Sequence, residues 1–298
     1  MSDWHWHDWQ GRSYLTCELL SPWPHGFFTQ HWHPATPQDI SQALFPEARA
    51  YRLKQVHGDR ILMAQEISPM AANTERADDG PEFPAADGLV ALRPQQAVWV
   101  ATADCVPALV GDRRLGTVAA VHAGWRGTAQ RIVPLAVSKL LQAGSQVADL
   151  RVALGPAIAG PVYQVSTAVA ARVGATLIAP EDLPEAARRA VGAVSVAPPA
   201  APSVVGGVEG GENTADADIG PVLAQLQAMP DSPLQPDATP GRMRLDVRRA
   251  NQLQLQQMGL APQQIAVAPY CTFADGGQFF SYRRARLKKV QWSGIVSQ

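Results

Sequence analysis

Residues 97–102 (AVWVAT) and 117–121 (TVAAV) are apolar almost throughout and rich in β-formers. Runs without polar–apolar alternation read as strands buried on both faces. Each ends at or near a residue able to do chemistry, Cys105 after the first and His122 after the second. The second run leads into a glycine-punctuated turn, Gly124-Trp125-Arg126-Gly127-Thr128. A helix is then expected over 128–142, with Ile132, Leu135, Ala136 and Leu140 on its apolar side and Gly144 as its stop. Residues 150–154 give another strand, ended by Gly155-Pro156.

Elsewhere the signals are shorter. Residues 4–9 are aromatic-rich and, with a turn at Gln10-Gly11-Arg12-Ser13, suggest a strand pair reaching residue 19. A helix is expected over 39–49, limited by Pro46, and strands over 51–56 and 61–64 around the turn His57-Gly58-Asp59. Residues 67–84 read as a polar surface loop. From about 180 to 241 the composition shifts to alanine, proline, glycine and acid. This is read as an insertion within one domain spanning 1–298, loose at 204–212 and 231–240, with a helix near 219–229. An amphipathic helix at 245–258, with Asp246 near its start and Gly259 after it, precedes the last expected strands, 265–268 and 279–282.

Composition narrows the function classes. A formal net charge of −1 lacks the basic footprint of a nucleic-acid binder, and the cations of 283–289 read as a solvated face. No apolar run is long enough to span a membrane, and no secretory leader is evident at the start. Three cysteines, Cys17, Cys105 and Cys271, are too few for a disulfide framework and fit a reducing cytoplasm. The expectation is a soluble cytoplasmic protein without nucleic-acid or membrane partners and with its oligomeric state open.

Cys105 and His122 have two readings. A thiolate and an imidazole are good zinc ligands, and three protein ligands with an open fourth position describe a catalytic zinc site. Equally, Cys is often a small buried hydrophobe and His a hydrogen-bonded structural residue, and no C-x-x-C or H-E-x-x-H pattern is present. Gly124, Arg126 and Gly127 also read two ways: as an anion cradle at a helix start, with Arg126 the charged contact, or as a tight turn capped by Thr128. His5 and His7 share a strand face, which would allow a surface metal site, or they simply interleave with tryptophans.

Several segments carry a family likeness: Lys54-Gln55-Val56-His57-Gly58, Ala86-Asp87-Gly88-Leu89-Val90, Thr102-Ala103-Asp104-Cys105-Val106-Pro107, Val121-His122-Ala123-Gly124-Trp125-Arg126-Gly127, and Cys271-Thr272-Phe273 with Phe280-Ser281-Tyr282-Arg283-Arg284. With these the sequence resembles the YfiH-like family of laccase-domain proteins, also called polyphenol oxidases. Its members are regarded as purine nucleoside phosphorylases that also deaminate adenosine and cleave methylthioadenosine. The resemblance implies an α+β or α/β sandwich of mixed sheets flanked by helices. It also implies a zinc held by His57, Cys105 and His122, with Arg126 and Arg283 toward phosphate or substrate. Asp87 and Asp104 either orient ligands or move protons, or else satisfy turn amides. The sequence departs from the family at Gln30-His31-Trp32-His33, at Gln164 where a glutamate is usual, and in the insertion. The glutamine puts deamination in doubt.

Phosphorolysis of purine nucleosides is thus the leading expectation. Copper-dependent phenol oxidation is a weaker rival, because only seven histidines are present and five precede residue 34. The others are a cysteine hydrolase using Cys105 and His122, and a structural zinc protein in which Cys271 closes the site as fourth ligand.

Overall fold

The structure, a computed structural model, describes residues 4–70, 83–179, 181–183 and 216–298. Strands β1 (Trp4–Trp9) and β2 (Arg12–Cys17) pair antiparallel through Gln10 and Gly11, both at positive φ (52° and 78°). A two-residue hairpin needs that backbone to follow the twist of its strands, and Gly11 adopts it without strain. After β3 (His25–Phe28), helix α1 (Pro37–Leu44) starts earlier than expected. Thr36 is its cap and Asp39 is the third residue of a capping box, each side chain accepting the other's backbone N–H.

Next come β4 (Arg49–Tyr51) and β5 (Ile61–Met63), shorter than expected, then β6 (Gly88–Ala91) and β7 (Gln96–Thr102). The following pair is β8 (Val106–Asp112) and β9 (Val118–Ala123). The helix expected over 128–142 is two helices, α2 (Trp125–Ala129) and α3 (Ile132–Gln142), broken where Arg131 turns left-handed (φ 58°). Ile132, Ala136 and Leu140 are buried as expected, but Leu135 faces solvent at 39% exposure.

The second half contains β10 (Leu150–Leu154), β11 (Gln164–Ser166), α4 (Thr167–Ala175), α5 (Asp216–Gln227), β12 (Leu234–Pro236) and β13 (Arg242–Leu245). Then follow α6 (Val247–Gln257), β14 (Ile265–Val267), α7 (Tyr282–Ala285) and β15 (Gln291–Val296). Two expectations are corrected here. Residues 231–240 are not a loose loop throughout, because β12 pairs with β13 from Leu234 to Pro236. Residues 279–282 are not a strand: Ser281 caps α7 by accepting the Arg284 N–H. Residues 71–82 and the segment 204–212 lie outside the described residues.

Two six-stranded sheets and one three-stranded sheet result, with orders β1-β2-β3-β15-β7-β4, β14-β10-β8-β9-β6-β5 and β11-β13-β12. Both large sheets are mixed, since β4/β7, β5/β6 and β10/β14 run parallel among antiparallel neighbours. One core joins the large sheets, with Leu15, Phe27, Val98, Val100 and Ile295 from the first meeting Leu89, Leu109, Ala120 and Ala153 from the second. The alternate residues Ala97 and Trp99 pack outward with Ile40 of α1. Val110, Ala119 and Val121 pack outward with Val133, Val137 and Leu140 of α3. That layering explains the unbroken apolar runs: both faces of β7 and β9 are covered. Among the described residues no helix is long and apolar enough to cross a membrane.

Candidate metal centre

The chain passes from the first large sheet to the second between β4 and β5, and again between β7 and β8. His57 lies on the first passage and Cys105 on the second. His122 is on β9, opposite Pro107 of β8. Their nitrogen and sulfur donor atoms all lie within 4.8 Å of one another. Ligands around a tetrahedral zinc would be separated by about 3.3–3.6 Å, so a small contraction suffices. The two imidazoles meet edge to face, with centroids 4.7 Å apart. His122 is buried, Cys105 half-buried and His57 exposed, so the cluster opens to solvent on the His57 side.

Asp87, fully buried, organises this group. Its Oδ1 accepts from His122 Nδ1 (2.8 Å) and from the His57 backbone N–H (2.9 Å). Its Oδ2 accepts from the N–H groups of Gly58 (2.8 Å) and Val56 (3.1 Å). An ionised carboxylate only accepts, so the His122 proton sits on Nδ1 and Nε2 is left to coordinate. The same side chain holds His57 in its left-handed turn (φ 59°). Both sequence readings of Asp87 therefore apply together.

Charge within the cluster draws the sulfur toward thiolate and a second proton onto His122, one that a bound metal would displace from Nε2. Burial opposes ionisation of the Cys105 thiol, but His122 and then His57 outweigh it and bring its pKa down. Burial likewise opposes a charged His122, yet the Cys105 sulfur and the Asp87 hydrogen bond drive its pKa up. Asp87 is held below the usual carboxylate range: His122 and the amides of Gly58 and Val56 overcome its desolvation. The sulfur is thus poised as a thiolate, the form that binds metal.

The glycines of the turn serve the cluster more directly than expected. A Cβ at Gly124 would stand 2.9 Å from Cys105 Sγ and 3.5 Å from His57 Cδ2. A Cβ at Gly127 would stand 3.0 Å from the Gly58 carbonyl oxygen, on the loop that carries His57. Each missing side chain makes room for a ligand-bearing segment. Gly124, not Thr128, caps α2. The Thr128 N–H donates to the Gly124 carbonyl (2.9 Å), and its hydroxyl accepts from Asn251 Nδ2 (2.9 Å). Because α2 has only five residues, an anion site at this turn rests on Arg126 more than on a helix dipole.

Arg126 is exposed, with its guanidinium 4.5 Å from the centre of the Trp125 ring, which Arg172 also approaches at 5.7 Å. Arg283 is half-buried. Its N–H donates to Asp104 Oδ2 (2.7 Å), its Nη1 to the Gln164 carbonyl (3.1 Å), and its guanidinium lies 5.0 Å from the Tyr163 ring centre. Sequence reasoning missed Tyr163, since an aromatic met by a cation far along the chain leaves no local signal. The Gln164 side-chain amide donates to Asp237 Oδ1 (2.9 Å). At the other departure, Gln30 Nε2 donates to the carbonyls of Gly276 (2.9 Å) and Gly277 (3.0 Å).

Among the described residues the donor group contains three members. Cys271 is not one of them, and its sulfur instead accepts the Ala159 N–H (3.3 Å). His5 and His7 do not form a second group: His5 faces Glu18 (3.5 Å), while His7 bonds Thr16 (2.8 Å) and stacks on Tyr14.

A family model described as multi-copper polyphenol oxidoreductase laccase matches residues 37–195 and 216–295. A purine nucleoside phosphorylase of Synechocystis sp. is 46% identical over 296 residues, covering 99% of this chain and 97% of that protein. Another, of Pseudomonas aeruginosa, is 28% identical over 80% of this chain and 70% of its own. Among solved structures, YlmD from Geobacillus stearothermophilus superposes with a TM-score of 0.70 over 98% of both chains. Its 23% identity makes this a likeness of fold. The chain belongs to the multi-copper polyphenol oxidoreductase laccase family.

Proposed function

We propose that the chain is a zinc-dependent purine nucleoside phosphorylase working in the cytoplasm on adenosine and inosine, with methylthioadenosine a further substrate. The observation that carries this reading is the His57–Cys105–His122 group, open on one side, in a chain so similar along its length to a protein named for that activity. The donor set fits zinc: two imidazoles, a sulfur drawn toward thiolate, and a carboxylate fixing one imidazole from behind. Zinc bound there would supply Lewis-acid polarisation at the open position.

The chain's own residues do the rest. Arg126 and Arg283 hold the phosphate dianion, and placing it against the ribose anomeric carbon supplies the gain of orientation over free encounter. The new bond joins phosphate oxygen to the anomeric carbon as the purine leaves with the electrons of the glycosidic bond. Gly124 and Gly127 shape the pocket wall. Adenosine deamination uses the same opening but needs a group that carries a proton, and the Gln164 amide does not.

A second reading has one specific observation behind it. Asp87, His122 and Cys105 are arranged as an acid–histidine–cysteine relay, which would suit a metal-free hydrolase. The third donor, His57, has no part in such a relay, and so the metal reading is preferred. The test is to incubate metal-quantified protein with adenosine and inosine, with and without phosphate. Free base and ribose 1-phosphate should form only when phosphate is present, and inosine from adenosine would mark deamination. Base release indifferent to phosphate and to zinc would sink the proposal and favour the hydrolase.

A further inference from the structure

Asp104 immediately precedes Cys105, where the chain leaves β7 for β8. Its backbone is left-handed at φ 88°, a region that non-glycine residues other than Asn and Asp seldom enter. The residue is 9% exposed, and its three oxygens are all engaged. Oδ1 accepts from the Thr272 hydroxyl (2.8 Å), Oδ2 from the Arg283 N–H (2.7 Å), and the carbonyl oxygen from the Ile158 N–H (2.9 Å). Thr272, fully buried, donates its N–H to the Ala157 carbonyl (3.2 Å), and its own carbonyl accepts from Arg284 Nη1 (2.6 Å). The carboxylate therefore joins the segment after β14 to the start of α7, while the same residue's carbonyl oxygen holds the segment after β10.

A turn aspartate that served only its own loop would accept from an N–H about two residues on. The side-chain partners of Asp104 lie 168 and 179 residues along the chain. The second is the residue whose guanidinium leans over Tyr163.

We propose that Asp104 is a positioning residue that fixes Arg283 relative to Cys105, so that the phosphate-holding cation and the ligand sulfur keep one spacing. This rests on the reading of Arg283 as a phosphate contact. Asp104 touches no reacting atom; its effect passes through the Arg283 backbone.

The test uses three substitutions in the full chain. Asp104→Asn tolerates the left-handed backbone but offers one acceptor oxygen in place of two. Asp104→Gly keeps that backbone and removes the carboxylate, and it carries the comparison should the asparagine variant fail to fold. Arg283→Ala removes the cation. Zinc content is measured alongside phosphorolysis at varied inorganic phosphate. The KM for phosphate should rise about tenfold in Asp104→Asn and further in Asp104→Gly, with nucleoside KM and zinc stoichiometry unchanged. Asp104→Gly combined with Arg283→Ala should be no worse than Arg283→Ala alone, because the two residues act as one unit. Loss of zinc and turnover without a phosphate effect, or full additivity of the two substitutions, would overturn the proposal and leave the phosphate role of Arg283 standing. An Arg283→Ala protein with unchanged phosphate KM would overturn both.

Discussion

Gly124→Ala tests the metal centre with a single methyl group. The added carbon would lie 2.9 Å from Cys105 Sγ and 3.5 Å from His57 Cδ2. Ordinary carbon contacts begin at about 3.5 Å, so the sulfur must retreat by at least about 0.6 Å. Metal sites tolerate ligand distances only within about 0.2 Å of ideal. Gly124 itself sits at φ −73° and ψ 174°, which alanine adopts freely, so the backbone is not strained. The cost to the fold is limited to a poorer helix cap, about 1 kcal/mol. Zinc affinity should fall by about 10–100-fold, the range seen when the surroundings of a ligand are disturbed. Competition against chelators of graded affinity measures this, and a melting curve of the zinc-free protein separates it from unfolding. A variant that melts near wild type and binds zinc equally well would show that the sulfur does not occupy the space left by the missing side chain.

Arg126→Ala should lower phosphorolysis efficiency about ten- to over a hundredfold, the worth of a charged hydrogen bond, with zinc content unchanged. If full phosphate-dependent cleavage persisted, Arg126 would not be part of the phosphate site. Asp87→Asn should both weaken zinc and destabilise the fold by at least about 1–3 kcal/mol, since one oxygen cannot serve four donors; chelator competition with urea unfolding reads both, and a neutral result would remove Asp87 from the ligand framework. His25 supplies a pH dependence. Burial lowers its pKa to about 4, its ring bonding the Cys17 N–H and the Trp23 carbonyl. Between that value and the ordinary 6.5 the unfolded chain binds a proton that the folded chain refuses, so stability falls as pH drops through this window, by about 3 kcal/mol in all. Urea titrations of wild type and His25→Gln across it should diverge by that amount, and parallel curves would refute the assignment.

The sequence exposed those parts of the fold whose burial is uniform. Residues 97–102 and 117–121 stood out because α1 and α3 cover the outer faces of their sheets while the sheets cover each other. Strand β8 is just as buried, yet Pro107, Gly111 and Asp112 break its apolar run and argue against a central strand. Strand β15 was hidden by Gln291, Ser293 and Gly294, polar or small residues that are buried because the strand lies between two others. Gln291 is satisfied there by the Phe280 backbone, its amide oxygen accepting the N–H at 2.8 Å. At the site, Cys105 and His122 stood out by their places at strand ends, but only the family resemblance chose a ligand role for them over a structural one. His57 was legible only through the family resemblance, since a histidine in a short loop carries no periodicity. The split of the expected helix at Arg131 was invisible because its apolar spacing runs through the break.

The place of β15 in its sheet has a consequence for synthesis. Residues 293–295 pair with 25–27 on one side and 291–296 with 97–102 on the other, so the middle strand is made after every other strand of that sheet. Until it arrives, β1-β2-β3 and β7-β4 are separate pieces, each presenting an open edge to the other. Unpaired edges are the surfaces through which partly made chains aggregate. A nascent chain that already carries His57, Cys105 and His122 therefore still has half-built walls around them. A truncation just before residue 291 should keep every donor and yet be recovered from cells as insoluble material.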